Sequence, residues 1–167
     1  MKKVLNFRKK LIMNIVAFTK PYYVRWFKKN TQAWNQSVDS LKRFPKKSLG
    51  KTLGLFLEKN KFTLLPKLED HDVLHVLLGY KTTITGEIKM QFFLLGNRKR
   101  SVYALFTAII GTVLVPEKFR SFSKEFNKGR RCAPISKWDF EHLLSEPIVL
   151  LQQQVFFKKL DNQPFII

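Results

Sequence analysis

The densest chemistry in the sequence lies at residues 69–75, Glu-Asp-His-Asp-Val-Leu-His. His71 and His75 are four positions apart, so a helix projects both imidazoles from one face. Two imidazoles so spaced can share one cation, as on the H-E-x-x-H zinc helix. Asp72, one step round the helix, can ligate directly or orient a ligand from outside. Three of the twelve acids of a chain with net charge +19 fall within four consecutive positions here. Glu87 stands twelve residues after His75 and would lie about 18 Å away on one straight helix. Gly79 and the Thr-rich connection Tyr80–Gly86 break that helix, and a reversal there would return Glu87 to the imidazoles. In the first turns of a second helix, an anionic Glu87 is also favoured by the helix dipole. His71, Asp72, His75 and Glu87 together make a mixed nitrogen and oxygen donor set suited to a divalent cation, Zn²⁺ first among them. The competing reading of an HxxxH pair is solvated or core-packed histidine. The acid cluster and the helix break favour the metal. His142 has no such neighbourhood and is expected to be a surface or core residue.

Those residues must be positioned by helices, because no stretch shows convincing strand alternation and no repeat of 20–50 residues is present. A helix is expected over Ser48–Asn60, between Pro45 and Pro66, with Ser48 as N-cap and Leu53, Phe56 and Leu57 on its apolar face. The pattern Leu68, Val73, Leu74, Leu77, Leu78 gives the next helix, ended by Gly79. Another runs from Thr83 or Thr85 to Leu95, ended by Gly96. Val102–Val115 is apolar throughout and is expected to be a buried helix. Ala104, Ala108 and Gly111 share roughly one of its faces, leaving room for a lipid tail or, the favoured reading, allowing close helix packing. A helix near Glu117–Asn127 leads to Gly129-Arg130-Arg131, and a last one covers Trp138 to about Lys159, kinked or restarted at Pro147. The fold class expected is all-α, a single-domain helical bundle with the metal site on a helix–turn–helix and an apolar lipid slot.

With 167 residues, 45% of them hydrophobic, the chain has enough apolar material for one core and is not a disordered one. The lone cysteine, Cys132, excludes an intramolecular disulfide and a cysteine-rich zinc module. The excess of 31 Lys and Arg over 12 Asp and Glu calls for a polyanionic partner, nucleic acid or anionic lipid. The 16 phenylalanines suit either one. No segment reaches the roughly 20 apolar residues that a span requires, and no secretory signal is expected. Residues 1–38 hold nine basic residues and no acid, with Leu11, Ile15 and Phe18 at helical spacing. We expect them to form a basic amphipathic segment, either lying on an anionic membrane or docking with its lysines in water. The domain expected to follow is 39–167. Arg98-Lys99-Arg100, before a helix start, is read as a solvated basic loop rather than an anion site. Arg130 and Arg131 can grip a substrate carboxylate, or pair with Glu125, Asp139 or Glu141.

His71-Asp72-Val73-Leu74-His75, eleven residues, then Glu87 resembles the HDxxH-x11-E signature of the coenzyme Q biosynthesis protein 4 ("Coq-four") family. The resemblance continues through Gly79, Thr82-Thr83, Gly86-Glu87-Ile88 and Phe92-Phe93. Upstream, Ser48-Leu49-Gly50 with Phe56-Leu57 is similar to the family's "GSLG…FL" segment. Downstream, Gly129-Arg130-Arg131, Trp138-Asp139-Phe140-Glu141 and Pro147 are similar to its C-terminal part. About 45–155 is covered; the short, basic N-terminal part is not alignable. The resemblance implies an all-α protein, peripheral at a membrane, that removes the carboxyl from carbon 1 of a polyprenyl-benzoate precursor of ubiquinone, with hydroxylation coupled to it. It implies that His71, Asp72, His75 and Glu87 bind zinc. The lysine bias points to a bacterial protein on the cytoplasmic face of the membrane, where the ring could belong to a related prenyl-quinone.

The leading expectation is thus a metal-dependent decarboxylase of a prenylated aromatic acid, with Asp72 or Glu87 as proton carrier. Its expected partners are that lipid, an anionic membrane, other quinone-biosynthesis proteins and a second copy of the chain. The alternative is a non-catalytic lipid-binding scaffold that organises such enzymes. A basic nucleic-acid-binding protein ranks third, because it leaves the HDxxH-x11-E spacing unexplained. A His-Asp phosphohydrolase is disfavoured because no upstream histidine is present.

Overall fold

The computed structural model describes residues 32–99 and 101–157. Among them there are seven α-helices and no strand. In chain order these are α1 Val38–Lys42, α2 Leu49–Asn60, α3 Glu69–Leu78, α4 Ile84–Gly96, α5 Val102–Leu114, α6 Phe119–Arg131 and α7 Ile148–Phe156. A 3₁₀ turn, Pro116–Lys118, leads into α6. The all-α expectation therefore holds. Of the expected basic amphipathic segment, 1–38, residues 1–31 lie outside the described residues.

The described residues fall into two compact units, 80–130 and 32–79 with 131–157. In the second unit, α2 is the central helix. Ser48 caps it by accepting the Lys51 amide at 3.2 Å, and Leu49, Leu53 and Leu57 on its inner face are fully buried. It packs against α1 and α3, and α3 packs against α7. Gln152 of α7 donates to the Leu77 carbonyl at 3.2 Å, satisfying one carbonyl left open at the end of α3. Distant parts of the chain close this unit by backbone bonds: Leu49 N–H to the Glu146 carbonyl and Gly50 N–H to that of Leu144, both 2.8 Å, and Ile148 N–H to that of Lys47 at 3.0 Å. The helix expected over Trp138–Lys159 exists only after Pro147. Residues 138–147 are turns, held by these bonds to the start of α2 and by the Asp139 carboxylate accepting from the His142 amide at 3.4 Å.

In the first unit, α4 lies between α5 and α6. Gly96 of α4 meets the Phe126 carbonyl of α6, and Gly129 of α6 meets the Phe93 carbonyl of α4, each too close for a Cβ. Asn97 donates to the Gly129 carbonyl at 3.3 Å, and Phe92 stacks on Phe122 at 5.3 Å. Tyr80 and Lys89 both meet the Glu125 carboxylate, at 2.8 and 3.5 Å.

One expectation is corrected here: α5 is not a buried helix. Its inward face carries Ala104, Thr107, Ala108 and Gly111, while Val102, Leu105, Phe106, Ile109 and Val113 are 40–71% exposed. The small residues let α4 approach so closely that a Cβ on Gly111 would lie 2.8 Å from Ile88. That stripe packs helices together, and Ile88 fills the space a lipid tail would need at Gly111.

Candidate metal centre

The α3 helix begins without a side-chain cap, at Leu68. Glu69, Asp70 and Asp72 occupy its first turn, where negative charge offsets the helix dipole. The acid cluster therefore has a structural reason of its own. Glu69 is buried, and its carboxylate accepts the Trp34 amide at 3.0 Å. That makes Glu69 a packing and tethering residue, a role its position in the sequence did not disclose.

His71 and His75 stand one turn apart on α3, as their spacing predicts. His75 is buried at 3% exposure; His71 and Asp72 are half-buried. The two Nε2 atoms face one another at 3.3 Å, with ring planes 81° apart. Phe56 of α2 lies nearly parallel to the His75 ring, 6.1 Å between centroids, and covers it from one side. The HxxxH pair gives no sequence signal for that phenylalanine, which sits fifteen positions upstream of His71.

The 3.3 Å separation is a test of fit. Two nitrogens bound at about 2.0–2.1 Å to one tetrahedral ion lie about 3.3–3.4 Å apart. The same distance accommodates an N–H···N hydrogen bond when the two tautomers differ. The pair therefore fits one side of a divalent site without rearrangement.

Gly79, with φ +74°, ends α3 in the left-handed region that glycine adopts without strain, and its amide donates to the His75 carbonyl. In the other unit, the Thr83 hydroxyl caps α4 by accepting the Gly86 amide at 3.2 Å. A Cβ on Gly86 would run into the Lys81 carbonyl, so this turn requires glycine. Glu87 is half-buried in the first turn of α4, as expected, and its amide donates to the Thr83 carbonyl at 2.8 Å.

The other candidates are placed as follows. Arg130 and Arg131 are exposed at the end of α6. Two of the acids considered as their partners bond elsewhere: Glu125 to Tyr80 and Lys89, and Asp139 to His142 at 2.9 Å. His142 is a surface residue, 84% exposed. Arg98 is exposed with φ +66°, Lys99 is half-buried, and Arg100 lies outside the described residues. Ser101, the next residue, caps α5.

Residues 67–161 match the family model described as coenzyme Q (ubiquinone) biosynthesis protein Coq4, a span that contains His71, Asp72, His75 and Glu87. No curated protein matches the chain. A crystal structure from Nostoc punctiforme, of a candidate ubiquinone biosynthesis protein, has a similar fold at a TM-score of 0.61 and 16% identity. The similarity covers 95% of this chain and 81% of that one. With residues 67–161 matched, more than half of its length, the chain belongs to the coenzyme Q (ubiquinone) biosynthesis family Coq4.

Proposed function

We propose that this member of a ubiquinone biosynthesis family binds a divalent cation through His71, His75 and Glu87 and removes the carboxyl group from carbon 1 of a polyprenyl-hydroxybenzoate. The observation that carries the reading is the 3.3 Å approach of two Nε2 atoms on a largely buried helix face. Two imidazoles need a third ligand to hold an ion tightly, and a carboxylate completes a His₂-carboxylate set of the kind that leaves a position open. Glu87, the carboxylate that the HDxxH-x11-E spacing adds to the pair, would be that third ligand. Zn²⁺ suits these donors. When bound, the cation supplies Lewis acidity that stabilises charge developing on a phenolate or ring.

The remaining work falls to the chain. The imidazoles orient the donor set, and Phe56 keeps water from one face of His75. A carboxylic acid, Asp72 or, where it is not bound to the cation, Glu87, delivers a proton to ring carbon 1 while the bond to the carboxyl carbon breaks, its electron pair staying on the ring and CO₂ leaving. Arg130 and Arg131 are candidates for gripping the departing carboxylate. The acid-free stretch 1–38 would hold the protein on the cytoplasmic face of an anionic bacterial membrane, where other quinone-biosynthesis proteins meet the same prenylated lipid.

The test is carboxyl-labelled prenyl-hydroxybenzoate incubated with zinc-loaded protein. The expected result is release of labelled CO₂ that is lost in His75→Ala. Intact label, with the lipid still bound, would replace catalysis by lipid-binding scaffolding.

A further inference from the structure

The α5 helix is apolar on both faces, with its larger side chains turned outward. Val102, Leu105, Phe106, Ile109 and Val113 follow the spacing of one helix face, and each is at least 40% exposed. They form an aliphatic and aromatic ridge about 16 Å long. A helix facing only water would carry Lys, Glu or Gln at those positions.

Charge surrounds this ridge without entering it. Between Lys89 and Lys124 the sequence has seven basic residues and one acid, Glu117, and none of the eight lies in α5. Arg98 is exposed just before the helix, Lys118 and Arg120 just after it, with Phe119 between these two 49% exposed. The segment 116–131 then turns away from α5 by 107°, so the pair does not form one straight span. An apolar ridge one helix wide, flanked by cations at both ends, fits the boundary between head groups and acyl chains of an anionic bilayer. A second copy of this chain is a poor occupant, because it would bring equal positive charge to the same rim.

We infer that the outer face of α5, with Arg98, Lys118 and Arg120 at its ends, is a docking surface for an anionic lipid bilayer, its apolar side chains lying below the head groups. The inference deepens the membrane part of the function proposed above and is independent of the metal and of the reaction.

It is tested on the full chain with phosphatidylglycerol–phosphatidylcholine vesicles, without metal or substrate. The double variant Leu105→Lys/Ile109→Lys, checked for a native circular dichroism spectrum, should lose at least about tenfold in vesicle affinity. A Cys132→Ser/Ile109→Cys variant carrying an environment-sensitive fluorophore should shift to the blue on anionic vesicles and be quenched by acyl-chain spin labels. The same label at Gln153, exposed on α7, should stay unchanged. A label at position 109 that remains in water, or a double variant that binds like the parent, overturns the inference. If removing residues 1–31 abolishes binding in that case, membrane association survives on the N-terminal segment and only the role of α5 falls. Change in oligomeric state with vesicle affinity unaltered would make the face a protein interface and equally refute the bilayer.

Discussion

The inner face of α3 and the outer face of α5 break the usual polarity rule in opposite directions. On α3, titratable imidazoles sit where leucines would pack, between Val73, Leu74, Leu77 and Leu78. On α5, leucine, isoleucine, valine and phenylalanine sit where lysines would be solvated. A polar group kept inside costs desolvation unless something inside matches it. Apolar groups kept outside mark a surface that something else covers. The first departure points to chemistry and the second to a place of attachment.

The largest effect should come from the α3 face. His71→Ala or His75→Ala should lower divalent-metal affinity by well over the roughly 10–100-fold expected for an outer-shell change. Elemental analysis of the purified variants would read this as loss of bound metal. Unchanged metal content would remove α3 from the comparison as a chemical face. Chelation of the parent should also lower its melting temperature, because an ion that binds only the folded state stabilises it.

Next comes the hidden side of α5 and its neighbour α4. Gly111→Val forces side-chain atoms into Ile88, and Gly96→Ala forces a methyl against the Phe126 carbonyl. Each should destabilise by about 1–3 kcal/mol in denaturant titrations. Ile109→Lys, two positions from Gly111 but on the outer face, should change stability by only about 0.5 kcal/mol or less. Equal costs at 109 and 111 would show that the outer ridge is packed within the protein and would dissolve the contrast.

The smallest effect concerns the surface pair Asp139–His142. Slight burial pushes the Asp139 carboxyl up, but the His142 amide and ring hold it, on balance, below its ordinary value. A lowered folded-state value contributes stability at neutral pH that is lost as pH falls through that value. Asp139→Asn should therefore lower neutral-pH stability slightly, leave stability below the titration of this carboxyl nearly unchanged, and so flatten the acid end of the profile. The pair is exposed, so salt should weaken the difference further.

How much was legible beforehand follows the same division. Ser48, Thr83 and Gly79 announced helix ends because capping and left-handed closure are local chemistry, and each does what its type predicts. His71 and His75 were legible because spacing four on a helix fixes their neighbours. The exposure of α5 was not legible: an apolar run states that water is avoided and leaves open whether protein or something else does the covering. The size asymmetry between Ala104, Ala108, Gly111 and Leu105, Ile109, Val113 was visible as a pattern, but which side faced inward depended on Ile88 in another helix. Residues 138–147 were misread as helix because their apolar residues have helical spacing, while their shape is set by bonds to residues about a hundred positions away. The double role of the acid cluster was hidden for a related reason. Glu69 is held by Trp34, thirty-five residues earlier, and no local pattern reports such a pairing.

Those long-range bonds have a consequence for the order of events during synthesis. Leu49, Gly50 and Lys47 find their backbone partners at Glu146, Leu144 and Ile148, so the unit carrying both imidazoles closes only when the chain has been made as far as Ile148. At about 5–20 residues per second, α2 and α3 emerge several seconds before the segment that completes their packing. During that interval Leu49, Gly50 and the Leu77 end of α3 lack their final partners, and closing so long a loop adds to the entropic barrier. The nascent chain is then at its stickiest, and a stalled or truncated product ending before Pro147 should be a substrate for chaperones and proteases rather than a smaller working protein.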